Sequence, residues 1–311
     1  MNQITDTIMM VRPANFRANE QTAVNNYYQK SPQDMSEELL LDAAQKEFDA
    51  FVEKLRAEGI NVVVIEGVKE TDTPDAHFPN NWVSFHQDGT VALYPMFAEN
   101  RRLERREDVL DILEEKGFNI ENIVDYSSAE KENFFLEGTG SLLLDRVHKK
   151  AYCALSPRAD EELFIEFCED FEYTPVIFTA NQTLDGKRVP IYHTNVMMCL
   201  GEDFVVICLD SIDDKKERKN VLNHLKEDGK EIIAITEEQV TQFAGNMLQV
   251  VNNEKKKYIV MSSAAHKSLT SEQIFNLEQH GTLLYSDINL IETCGGGSTR
   301  CMMAEIFLPK E

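Results

Sequence analysis

The chain has no apolar run long enough to cross a bilayer. It is also short of basic residues: 31 Lys and Arg stand against 54 Asp and Glu, a formal net charge of -23. Nucleic acid and anionic membrane surfaces both need a basic footprint, so neither is expected as a partner. The acid surplus is read as solubility. None of the six cysteines, Cys153, Cys168, Cys199, Cys208, Cys294 and Cys301, forms a CxxC pair. That argues against a zinc site and a disulfide scaffold, and for reduced, mostly buried thiols. The opening MNQITDTIMMVRPANF lacks a basic segment followed by an apolar one, and no lipidation motif closes the sequence. The expectation is a cytoplasmic protein. No Walker or G-x-G-x-x-G signature sits between a strand and a helix, and no His/Cys/Asp/Glu spacing suits a metal, so no cofactor is called for. Linkers and low-complexity segments are missing too, which points to a single domain over residues 1–311.

What is present is 42% hydrophobic and 27% charged, the make-up of a globular α/β chain and not of a disordered one. Short Val/Ile/Phe/Tyr-rich runs predict strands at 61–66, 90–94, 141–144, 151–155, 175–178, 204–209, 231–235 and 257–261. Helical periodicity predicts helices over 35–58, 101–116, 160–170, 214–228 and 271–280. In the first, Leu39, Leu40, Ala43, Phe48, Phe51, Val52 and Leu55 fall roughly on one face.

Five segments share a grammar: FPNNWVSFH, LEGTGSLLLD, YHTNVMMCLG, FAGNMLQVVN and CGGGSTRCMMAEIF. Each places small or amide residues at a turn and an apolar strand after it. They recur about every 55 residues, the length of one ββαβ unit. Such units cannot bury a core alone, so a ring is expected, with the five turns converging on a central channel.

Chemistry-bearing residues head those turns. Cys301 follows a triple-glycine turn beside Arg300, where backbone can approach a ligand closely. His193 lies in Tyr-His-Thr-Asn, and Glu137 stands between an apolar run and a Gly-x-Gly turn. A thiol, an imidazole and a carboxylate have the logic of a nucleophilic triad.

The segments VRPANF, DTPDAHFPNNWVSFH, LEGTG, YHTN and GGGSTRCMMAEIFLPK together resemble the guanidino-group-modifying superfamily of arginine and agmatine deiminases, dimethylarginine dimethylaminohydrolases and amidinotransferases. The resemblance spans the chain and is greatest to bacterial amidinotransferase-like, citrulline-utilisation hydrolases. It implies a pentein fold, a five-bladed α/β propeller of ββαβ units. It implies Cys301 as nucleophile, His193 as acid and base, and Glu137 as the partner of His193. It places Arg102 or its neighbour Arg101, with Arg158, on a substrate carboxylate. Asp75, Phe78, Asn80 and Asn81 fall in the first substrate segment.

Two features depart from the family. Carboxylates that would grip a guanidinium are replaced by Asn80 and Asn81, and those of later turns by Asn195 and Gly140. A guanidinium offers only donors, whereas a ureido group adds a carbonyl acceptor that an amide can serve. The expected substrate is therefore a small amino acid of the citrulline type, cleaved to ornithine, ammonia and carbon dioxide. Hydrolysis of an arginine derivative, amidino transfer, and a non-catalytic binding protein on the same ring stand as alternatives. Homo-oligomerisation is left open.

Overall fold

The computed structural model describes residues 2–32 and 35–310. It is an α/β fold of small sheets. Strands β1 (Thr7–Arg12) and β2 (Asn61–Glu66) run parallel, joined through the helix Glu37–Ala57. Next come β3 (Val83–Phe85), β4 (Thr90–Leu93) and β5 (Asn122–Asp125), then β6 (Leu142–Asp145), β7 (Lys150–Leu155) and β8 (Thr174–Thr179). A hairpin, β9 (Asn181–Leu184) and β10 (Lys187–Pro190), stands apart. There follow β11 (Met198–Leu200), β12 (Phe204–Ile207) and β13 (Glu231–Ala234), then β14 (Leu248–Val251), β15 (Lys257–Ser262) and β16 (Thr282–Ser286), and last β17 (Ala304–Glu305).

These strands make five three-stranded sheets of one design besides the hairpin. In four of them an antiparallel pair is followed by a helix and a third strand parallel to the second. The fifth is split across the chain: β17 pairs antiparallel with β1, bringing Glu305 opposite Ile8 and Ala304 opposite Met9.

Most predicted elements appear within a residue or two. The helix predicted over 101–116 is instead broken into Glu99–Arg102 and Glu107–Glu115. The break lets Glu104 fold back onto Arg101. In Glu37–Ala57 the buried face is Leu40, Ala44, Phe48, Phe51, Val52 and Leu55; Leu39 is 56% exposed and Ala43 is only partly buried. Ser36 caps this helix by accepting from the Leu39 N–H. Four hydrophobic clusters lie between sheets and helices, and one of them holds both Phe78 and Cys301.

The five turns touch in order. Thr139 Oγ1 of the second donates to the Asn80 carbonyl of the first at 3.2 Å. Thr194 Oγ1 of the third donates to the Ser141 carbonyl at 2.6 Å. Asn246 Nδ2 of the fourth donates to the Asn195 carbonyl at 2.9 Å, and the Arg300 N–H of the fifth donates to Asn246 Oδ1 at 3.0 Å. Gly138 makes the first of these approaches: its φ is +42°, and a Cβ there would lie 2.4 Å from the Asn80 carbonyl oxygen.

Candidate active site

Cys301 is 3% exposed. Asn246 Nδ2 points at its Sγ from 3.3 Å and Asn195 Nδ2 from 3.5 Å. His193 lines the same cavity. Its Nε2 lies 2.7 Å from Glu137 Oε2. An ionised carboxylate only accepts, so the proton sits on Nε2 and Nδ1 is left with a free lone pair. Burial lowers the His193 pKa to about 4, against the raising effect of Glu137, and the neighbouring Arg158 and Arg101 push the same way. His193 is thus a neutral base at pH 7.

Glu137 is fully buried. Its Oε1 accepts the Phe97 N–H at 3.0 Å, and its Oε2 lies 3.5 Å from Arg158 and 4.0 Å from Arg101. Burial alone would raise its pKa. The Arg158 charge, the His193 hydrogen bond and Arg101 outweigh it and hold the carboxyl well below its ordinary range. The space between His193 and Asn81 exists because residue 140 is glycine. A Cβ there would lie 2.4 Å from Asn81 Nδ2 and 2.8 Å from His193 Nδ1.

Arg101 is buried and committed inside the protein. Its Nε and Nη2 fork onto Glu104 at 2.9 Å each, Nη2 also donates to the Phe78 carbonyl, and Nη1 donates to Asn81 Oδ1 at 2.8 Å. That last bond fixes the Asn81 amide, so Nδ2 is its remaining group. This buried Nδ2 has no partner among the described residues, and neither has Asp75 Oδ1. Asp75 Oδ2 accepts from Asn19 and Thr22. Burial raises the Asp75 pKa, opposed by Arg101 and those hydrogen bonds.

Arg158 packs over the Tyr192 ring at 4.9 Å. Its Nε donates to Asn25 Oδ1 and its Nη2 to the Thr22 carbonyl, both at 2.9 Å. Residues 19–29 therefore form a strap across the site. They leave about 10 Å³ of cavity between Cys301, His193, Asn81, Asp75, Arg158 and Gly295–Gly297, room for about one water. Wider clefts of about 790, 480 and 260 Å³ lie elsewhere and hold none of the predicted site residues.

The family model for N,N dimethylarginine dimethylhydrolase, eukaryotic, matches residues 12–308. The chain belongs to this family. That family lies within the guanidino-modifying pentein superfamily. No curated protein matches the chain.

Solved structures show the same fold at low identity. Apo ArgZ, an arginine dihydrolase from the ornithine-ammonia cycle in cyanobacteria, superposes with a TM-score of 0.74 and 16% identity. That match covers 98% of this chain but 41% of the ArgZ chain. The isolated ArgZ N-terminal domain, bound covalently to a reaction intermediate, matches over 99% of its length, with a TM-score of 0.73, 17% identity and 97% of this chain covered. A dimethylarginine dimethylaminohydrolase carrying an S-methyl-L-thiocitrulline adduct matches with a TM-score of 0.63 at 12% identity, covering 97% of this chain and all of its own.

In this chain Cys301, His193, Asp75, Phe78, Asn81, Arg101 and Arg158 line one cavity, with Glu137 directly behind His193. Three predicted site residues are placed otherwise. Arg102 turns away: its Nε donates to the Met96 carbonyl at 3.1 Å and lies 3.5 Å from Glu130. Adjacent helical residues point about 100° apart, so one of an Arg-Arg pair must leave the pocket. The Asn80 side chain is buried away from the cavity lining and has no partner among the described residues; only its backbone carbonyl accepts, from Thr139. Asn195 aims its amide at Cys301 and not at the cavity. The sequence reading missed Asn19, Asn25, Tyr192 and Glu104. Asn246 lies in the segment FAGNMLQVVN, and its place in that fourth repeated turn is the signal that marks it.

Among the described residues one group, Asp145, His148 and Asp228, could hold a cation. Lys230 already lies 3.0 Å from Asp145 and Lys150 2.8 Å from Asp228, so its acids are neutralised. The same residues contain no helix long and apolar enough to cross a membrane.

Proposed function

We propose that this protein is a cysteine hydrolase of ureido-bearing amino acids, with citrulline as the preferred substrate. One observation carries the substrate choice. Arg101 holds Asn81 by its oxygen, so the amide meets the substrate with a donor. A guanidinium has only donors to offer in return, while a ureido oxygen accepts. Asp75 Oδ1, the unpartnered acceptor on the same cavity, suits a substrate N–H or ammonium.

In this reading residues 1–311 are one domain, and the five sheets are blades of a closed ring whose turns deliver the site. His193 Nδ1 takes the Cys301 proton. The thiolate attacks the ureido carbon, and the leaving amine departs with the proton from His193. Water then gives its proton to His193 and its hydroxyl to the S-carbamoyl carbon. The C–S bond breaks, the thiolate recovers the proton, and the carbamate falls to amine and carbon dioxide. The net reaction consumes one water. Glu137 keeps the imidazole in the required tautomer throughout.

A second reading, an arginine-derivative hydrolase, is favoured by the buried carboxylates of Asp75 and Glu137, which suit a cation. The two are separated by following ammonia release from citrulline, arginine, agmatine and N-substituted arginines. Citrulline should show the highest kcat/KM; a higher value for arginine would sink the ureido reading and leave the cysteine hydrolase standing.

Arg158 is the guanidinium available to a substrate α-carboxylate, because Arg101 is committed to Glu104. The acceptors it now holds, Asn25 Oδ1 and the Thr22 carbonyl, stand where that carboxylate would bind, so the strap must yield on substrate entry. Arg158→Lys keeps the charge and loses the planar fork. Steady-state kinetics should show KM for citrulline raised at least about tenfold, the equivalent of roughly 1.4 kcal/mol. A residual rate on agmatine, which lacks the carboxylate, should change little. An unchanged citrulline KM would refute the assignment.

A further inference from the structure

We propose that Asn246, assisted by Asn195, is a catalytic residue that stabilises the Cys301 thiolate once His193 Nδ1 has taken its proton. The inference rests on Cys301 being the nucleophile. A neutral ureido substrate brings no charge to favour the thiolate, so the protein must supply the donors itself.

The candidates can be eliminated in turn. Arg300, next in sequence, points elsewhere: Nη1 donates to the Met303 carbonyl and Nη2 to Glu305, both at 2.8 Å. Arg101 and Arg158 are committed to Glu104 and to the strap, and the His193 proton goes to Glu137. What faces Sγ is two amide nitrogens.

An amide could present oxygen instead of nitrogen, so its orientation decides the matter. For Asn246 the surroundings fix it. The Arg300 N–H donates to Oδ1, and the Asn195 carbonyl accepts from Nδ2. Turning the amide over would set donor against donor and oxygen against oxygen. With one Nδ2 hydrogen given to Asn195, the second is directed to Sγ. The Oδ1 atom lies further off, at 3.7 Å. Asn195 repeats the pattern, with Nδ2 at 3.5 Å and Oδ1 at 3.9 Å. Both amides are fully buried, where a charge-assisted hydrogen bond is strong. The backbone of the third and fourth turns thus places two N–H groups on one sulfur.

The test is alkylation of the full-length protein by iodoacetamide at pH 7 without substrate, with the modified cysteine identified by peptide mass. Asn246→Asp keeps the acceptor for Arg300 and replaces the donor to sulfur with a carboxylate oxygen. Asn195→Ala removes the other donor and leaves Asn246 and its turn intact. The Cys301 alkylation rate should fall about 10- to 100-fold in Asn246→Asp and by a smaller factor in Asn195→Ala, as expected for hydrogen bonds to a charged group. In both, kcat should fall in parallel while KM stays near wild type, a split that mere loosening of the site would not give. Unchanged alkylation in folded variants, judged by circular dichroism, would overturn the proposal. Failure of wild-type Cys301 to alkylate ahead of the other five thiols would instead overturn its assignment as nucleophile. Because no substrate enters the alkylation assay, a wrong choice of substrate affects neither result.

Discussion

Replacing Cys301 by alanine should lower turnover by on the order of 10⁴-fold or more, with the fold intact. The whole proposed reaction passes through its sulfur, and no other thiol lines the cavity. Cys294 is the natural rival, lying on the other side of the glycine turn. It is buried in the helix Asn289–Gly295 and packed in the hydrophobic cluster, and burial pushes its thiol up to about 11. Cys294→Ala should therefore keep activity. The stability cost of Cys301→Ala is small, about 1 kcal/mol for one buried atom group. The partners that hold Asn246 in place survive the substitution. The pair of variants is checked by ammonia release and thermal melts. Activity lost in Cys294→Ala and kept in Cys301→Ala would reverse the assignment.

Glu137→Gln should destabilise the protein by about 3–5 kcal/mol and reduce kcat at least about 100-fold. The carboxylate is buried where His193 Nε2 and Arg158 point donors at it, with the Arg101 charge 4.0 Å away. A glutamine must turn its NH₂ either toward those donors or toward the Phe97 N–H. Either choice leaves buried positive charge uncompensated, and it frees His193 to adopt the wrong tautomer. The pH dependence follows from the direction of the shift. A carboxyl held below its ordinary value contributes stability that is fully present above about pH 4.5. It is lost as pH falls through the lower, folded value. The gap between wild type and variant should thus be constant from pH 5 to 8 and narrow only in stronger acid. Denaturant titrations at several pH values would show this; a gap that widened in acid would contradict the charge network.

Much of this site could be read in the sequence because its residues sit on repeated turns. Glycine or asparagine next to a strand is a local signal, and five of them at similar spacing told where Cys301, His193 and Glu137 should meet. What escaped depends on directions that no spacing encodes. Arg101 and Arg102 share a helix-forming run, and only the break after Arg102 shows which one Glu104 captures. Asn81 and Asn195 were both read as substrate contacts, yet one amide faces the cavity and the other faces sulfur. The strap residues Asn19 and Asn25 lie between strand and helix with no motif of their own. The hairpin β9–β10 was also overlooked, although Asp185-Gly186 is a strong two-residue turn signal and both residues have positive φ.

The pairing of β17 with β1 has a consequence for the order in which the molecule comes into being. Met9 is made long before Ala304, yet they are neighbours. On a ribosome the opening strand must wait, with one edge unsatisfied, while the other four sheets can fold as they emerge. Glu137, His193 and Asn246 are all made before the thiol, which arrives three residues ahead of the strand that closes the first sheet. A nascent chain therefore acquires the proposed nucleophile last of these groups, only as that sheet closes.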